Sequence, residues 1–256
     1  MRTVKTYITQ LYNLLRDNAD PKTRSWWEGY VKRSAPFLGV KMSVIRSLMH
    51  TWYTQSVADN LEGEAQRQLA LALIYQPHTE EKLAGMLFLQ EILLPAGLIR
   101  CPRDVDRFAD LFASGAIYDW NVCDWFCVKV LGSLIENEGP LCAERIAAWR
   151  IAEDLWQARA SLVAFVKVAD QRVYYPLVED SCRALIRREE RFAKTAVGWI
   201  LRDVSKHDEA FVRRVIEENL PSFSPESLKN ATKYFSKDER GAAIKMLKHA
   251  QAEARS

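Results

Sequence analysis

The chain has 256 residues, enough for one large domain or two small ones, with 48% hydrophobic and 27% charged residues, so a sizeable core and good solubility are both expected. Ten Gly and nine Pro are few turn-makers for this length and count against a many-stranded β fold. A net charge of +3 is only mildly basic and does not by itself require a polyanionic partner.

The opening stretch, MRTVKTYITQLYNLL, lacks the apolar run and small-residue cleavage site of a secretory signal. Ile8, Leu11, Leu14 and Leu15 recur at three- and four-residue spacing and mark a first helix. Asp17, Asn18 and Asp20 close it, and Pro21 opens the next. The same periodicity predicts helices at about 22–34, 41–56, 61–76, 79–94, 103–113, 118–136, 140–151 and 153–168. It continues at about 171–188, 190–206, 208–219, 224–235 and 237–253. The apolar run LAGMLFLQEILLPAGLI is broken by Gln90, Glu91 and Pro95, which argues against a membrane span. Cys101, Cys123, Cys127, Cys142 and Cys182 form no CxxC pair, and His50, His78, His207 and His249 are scattered, so no zinc site is expected. Cys123 and Cys127, four residues apart, are read as buried thiols, and the odd cysteine count points to a reducing cytoplasm.

Short connections between helices call for a search for repeats, and one emerges. AGMLFLQEIL from Ala84, WNVCDWFCVKVL from Trp120, WQARASLVAFVKVA from Trp156 and FAKTAVGWILRDVS from Phe192 begin 36 residues apart. A two-helix period of that length is what HEAT or TPR arrays show, and the fold expected is an all-α solenoid of HEAT-like antiparallel hairpins, one domain over 1–256, curved into a C with a concave basic groove. Offsets 0, +3, +4 and +7 lie on one helical stripe, and they hold Trp120, Asp124, Arg159 and Trp199. Elsewhere the stripe holds Ala84, Leu87, Cys123, Val163 and Ala196, which are small or apolar. Each of these four residues has a structural reading as core Trp or ion pair, yet together on neighbouring repeats they suggest a functional wall. From Arg187 to Lys206 six cations face three anions, a flank suited to a phosphate backbone.

A carboxylate among aromatic and cationic groups can stabilise the oxocarbenium-like sugar formed when a glycosidic bond breaks. One carboxylate suffices when the leaving base already carries a positive charge. At YVKRSAPFLGVKMSVIRSL (30–48), WNVCD (120–124), LWQARASL (155–162) and FAKTAVGWILRD (192–203), the chain resembles the AlkD-type DNA alkylation repair glycosylases. The resemblance implies a monofunctional enzyme that excises N3- or N7-alkylated purines from duplex DNA without metal or cofactor. It implies catalytic roles for Asp124, Trp120, Trp199 and Arg159. Tyr30, Arg46 and Arg202, with Lys194 from the basic flank, are implied to bind DNA. A cytoplasmic monomer is expected, with no membrane partner. The chain departs from the family at Ser43, where Pro is usual, and at Asp119, where an aromatic is usual; Asp119 is expected to alter local electrostatics. The competing reading is a HEAT protein that binds distorted or branched DNA without chemistry.

Overall fold

The computed structural model describes residues 3–253, and among them no strand occurs. The chain folds as two compact units, one ending at Phe126 and one beginning at Cys127.

In the first unit the helices are α1 (Val4–Asp17), α2 (Pro21–Tyr30), α3 (Met42–Trp52), α4 (Gly63–Ile74), α5 (Thr79–Phe88), α6 (Arg103–Ala113) and α7 (Trp120–Phe126). Their starts follow from local chemistry. Asp20 accepts the Thr23 amide and Pro21 occupies the first turn, where its missing N–H is not needed. Helix α5 is buried along its whole length and packs on α3, α4 and α7, so it is the spine of this unit. Its Gly85 allows the crossing with α4, because a Cβ there would lie 2.7 Å from the Ala70 carbonyl oxygen.

The spine's first turn is polar, and its buried charges are satisfied. Glu80, 1% exposed, accepts the amides of Leu38, Gly39 and Val40 at 2.7–3.0 Å. Lys82, 4% exposed, donates to the Ile74 and Ala116 carbonyls, both at 2.9 Å, beside the Tyr118 ring. Burial pulls the Lys82 ammonium down to about 8 from its ordinary 10.5, against a weaker opposing pull from Glu81. The unfolded chain therefore holds this proton over a pH range where the folded chain has released it, and stability rises with pH in that window. Unfolding measurements between pH 8 and pH 10 should show a gain of about 1–3 kcal/mol that Lys82→Met flattens. An unchanged slope in the variant would assign the gain to other groups.

The second unit contains α8 (Gly132–Glu138), α9 (Pro140–Ala147), α10 (Leu155–Val163), α11 (Tyr175–Ile186), α12 (Arg191–Val204), α13 (Glu209–Asn219), α14 (Pro225–Ala231) and α15 (Lys237–Glu253). Helix α12 packs on α10, α11 and α14. Asp154, Asp208 and Ser224 cap α10, α13 and α14 in the same way that Asp20 caps α2. In α15 only Leu247 is buried.

The helices fall close to their predicted ranges, except that α2 and α14 each stop four residues early, at Tyr30 and Ala231. The periodicity carries the second helix to residue 34, but it stops at Tyr30, where Lys32 (φ 55°) and Arg33 (φ 61°) turn the chain through the left-handed region. Helices α7, α10 and α12 begin at Trp120, Leu155 and Arg191, within one residue of the expected repeat starts, whereas Ala84 lies inside α5. A second periodicity is invisible in the apolar pattern. Wide five-residue turns begin at Tyr53, Leu89 and Cys127 and a tight one at Ala164, spaced 36, 38 and 37 residues apart. The all-α hairpin pattern is thus periodic in its irregularities as well as in its helices. No helix among the described residues is long and apolar enough to cross a membrane.

Candidate functional site

In the first unit the site is organised by the start of α7. The Asp119 carbonyl accepts the Cys123 amide, and its side chain accepts the Asn121 amide at 2.8 Å, so this residue caps the helix. The other carboxylate oxygen accepts the Ser34 hydroxyl from the loop after α2, 85 residues away in sequence. Asp119, expected to alter local electrostatics, is 3% exposed and has a structural role: it starts α7 and ties the 31–35 loop to it.

Trp120 follows immediately. Its half-buried indole packs against Val31, Ala35 and Phe37. Tyr30, 55% exposed, meets Trp120 edge-on, with ring centroids 5.5 Å apart and planes at 71°. Asp124 lies one turn further along α7 and is half-buried. A carboxylate is thereby held on the helix face that carries the indole, and the solvent-facing phenol of Tyr30 on α2 meets that indole edge-on. Arg46, half-exposed on α3, donates to Glu91 at 2.8 Å, and His50 shares the same carboxylate at 2.7 Å. Partial burial would raise the Glu91 pKa, but the hydrogen bonds from His50 and Arg46 prevail and hold it below its usual value. A cavity of about 160 Å³ behind this region is lined by Trp27, Phe37, Asn121 and Trp125 among others.

In the second unit α10 and α12 bring together Arg159, Trp199 and Arg202. Arg159 is 4% exposed; its Nη1 donates to the Phe192 carbonyl at 2.6 Å and to the Thr195 hydroxyl at 3.3 Å. Its guanidinium carbon lies 5.9 Å from the centre of the Trp199 ring, and that of Arg202 lies 5.8 Å from the same ring. Arg202 also donates to Asp203 at 2.7 Å, and Lys206 pairs with the other oxygen of that carboxylate. Burial would raise the Asp203 pKa; the hydrogen bonds from Lys206 and Arg202 outweigh it and lower the value. Lys194 is half-buried and donates to the Ser222 carbonyl at 2.8 Å.

The stripe at offsets 0, +3, +4 and +7 therefore straddles the edge of the core. Leu87, Cys123 and Arg159, all at +3, are buried, whereas Asp124 at +4 reaches solvent. Two positions one residue apart differ by about 100° around a helix, enough to separate core from surface. Arg159 is accordingly placed to fix Trp199 in its own unit.

Trp26, Ser34 and Glu80 also shape the site, and the sequence pattern does not single them out. Trp26 has a signal that could have found it, because its spacing of four from Tyr30 puts both rings on one face of a short helix. The other two depend on contacts that no local pattern announces. Among the described residues no group of three or more His, Cys, Asp or Glu is arranged to hold a metal ion.

A family model described as DNA alkylation repair enzyme matches residues 11–235. Among solved structures, one described as a predicted DNA alkylation repair enzyme from Enterococcus faecalis aligns with a TM-score of 0.73 at 20% identity, covering 86% of this chain and 98% of that one. At that identity the likeness concerns the fold. No curated protein matches the chain.

Proposed function

Since the chain belongs to the DNA alkylation repair enzyme family, we propose that it is a monofunctional DNA glycosylase acting on positively charged N3- or N7-alkylated purines in duplex DNA. The observation that carries this reading is the pairing of Trp120 and Asp124 one turn apart on α7, with the exposed Tyr30 ring edge-on to the indole.

In the proposed reaction the bond between C1′ and the purine nitrogen breaks, and its electron pair stays with the base. A cationic purine becomes neutral as it leaves, so no general acid is needed. The deoxyribose is left as an oxocarbenium ion, which the Asp124 carboxylate stabilises electrostatically. Water then adds to C1′, its proton passes to Asp124 or to solvent, and an abasic site remains. Trp120 and Tyr30 pack on the sugar and its backbone through their ring faces and edges. In the second unit, Trp199, braced by Arg159, and the cations Arg202 and Lys194 are assigned to the DNA backbone, as is Arg46 in the first. Lys82, with 4% exposure and two carbonyl partners, is unsuited to nucleophilic attack on an abasic sugar.

The test is release of free base from duplexes carrying 7-methylguanine, 3-methyladenine or uracil at one position. The two cationic purines should be released and uracil should not, because a neutral leaving group requires an acid. Uracil release at a comparable rate would remove this mechanism. Tight binding of all three duplexes with no base release would favour a non-catalytic DNA-binding role.

A further inference from the structure

Helix α2 has no buried residue, and its outer face is aromatic. Trp26 is 60% exposed and lies parallel to Tyr30, with centroids 5.2 Å apart and an interplanar angle of 8°. Trp27 stands perpendicular to both rings and stacks on Phe37, which anchors the pair to the unit. Tyr30 in turn meets Trp120, so three rings lead in sequence from Asp124's own helix to solvent. Two large rings stacked in water leave an apolar face unpartnered, and an unpartnered ring face of this size is a surface to which another flat group can add.

The charge around the pair indicates which flat group. Within residues 20–34 the cations Lys22, Arg24, Lys32 and Arg33 face the anions Asp20 and Glu28. Both anions are engaged, Asp20 with the Thr23 hydroxyl and Glu28 with Arg24. No carboxylate of the described residues forms an ion pair with Lys22, Lys32 or Arg33, and Lys32 and Arg33 are exposed. Lys32 and Arg33 occupy consecutive left-handed positions, a conformation that is unfavourable for side chains of this kind. The Ser34–Asp119 hydrogen bond holds this turn against the start of α7. An aromatic face beside unpaired cations matches a nucleobase whose own phosphates lie within reach.

We propose that Trp26, stacked on Tyr30 and flanked by Lys32 and Arg33, is a binding platform for an unstacked DNA base next to the damaged nucleotide. An intact duplex hides the faces of its bases, whereas an abasic product exposes them. The platform therefore discriminates in favour of the site after base loss and retains the product. This inference rests on the DNA-repair reading above, and on binding alone.

Its test uses the full chain and two duplexes, one intact and one with a tetrahydrofuran abasic analogue immediately next to 2-aminopurine in the same strand. The wild type should bind the abasic duplex more tightly and change the 2-aminopurine fluorescence. Trp26→Ala should weaken that binding by about fivefold to a hundredfold and abolish the fluorescence change, the range that loss of one stacked base produces. Trp26→Phe should retain most of both signals. Lys32→Asn and Arg33→Asn remove charge while tolerating the left-handed backbone, and each should reduce the salt dependence of binding. Affinity for the intact duplex should stay within about twofold of the wild type in Trp26→Ala, since no free base is offered there. An unchanged abasic affinity and fluorescence signal in Trp26→Ala would overturn the platform while leaving the repair reading intact. Failure of the wild type to bind either duplex would overturn both. Binding of anionic phospholipid vesicles that depends on Trp26, with DNA affinity unchanged, would overturn the platform and assign the surface to a membrane instead.

Discussion

Asp124→Asn is expected to slow release of 7-methylguanine roughly a hundredfold while leaving affinity for an abasic duplex nearly unchanged. The substitution keeps the size of the side chain and its hydrogen-bonding reach, and Asp124 lies within α7, whose start is fixed by Asp119 rather than by Asp124. What changes is a negative charge beside the developing oxocarbenium ion. Removing one well-placed electrostatic stabiliser costs about 3 kcal/mol in the transition state. Neither the neutral abasic product nor the surrounding phosphates gain from that charge, so binding should be spared. Single-turnover base release with enzyme in excess, together with equilibrium binding, separates the two effects. Equal rates for variant and wild type would take Asp124 out of the chemistry.

The second large effect is expected far from the reaction, at Glu80. Its carboxylate satisfies three backbone amides of the 38–40 turn in a position with 1% exposure. Gly39 sits there at φ 103°, with its amide on Glu80 and its carbonyl accepting the Asp20 amide. Glu80→Ala leaves three donors without an acceptor, and each buried unsatisfied donor costs about 1–3 kcal/mol. Allowing for relaxation and water entry, a loss of about 3–5 kcal/mol is expected, which is roughly 6–20 °C in melting temperature. Glu80→Gln should lose about half as much, because its amide oxygen can still accept from Gly39 and Val40 while its nitrogen cannot accept from Leu38. Thermal unfolding followed by circular dichroism measures both. Equal losses in the two variants would show that charge, rather than the number of acceptors, holds the turn.

Much of this molecule is legible without coordinates, and the legible parts share a cause. Helix starts at Pro21, Leu155, Glu209 and Pro225 follow from a capping side chain that bonds an amide three residues ahead. The juxtaposition of Trp120 and Asp124 follows from the pitch of one helix. Each of these depends on neighbours within about one turn, and such neighbours stand side by side in a sequence. The family resemblance likewise attaches to short runs of adjacent residues, and the match over 11–235 places the chain where those runs point. Tertiary structure decided what depends on distant partners. Only the folded chain pairs Arg46 with Glu91, Ser34 with Asp119 and Lys82 with the Ala116 carbonyl, separations of 45, 85 and 34 residues. Only there does the +3 edge of the repeat stripe turn inward, burying Arg159 against Phe192 and Trp199 while Asp124 keeps its solvent. Periodicity states which residues share a face; it does not state how far that face is rotated toward the core. That rotation is set by the packing of helix on helix, a balance of apolar burial and satisfied polar groups summed over residues far apart in the chain.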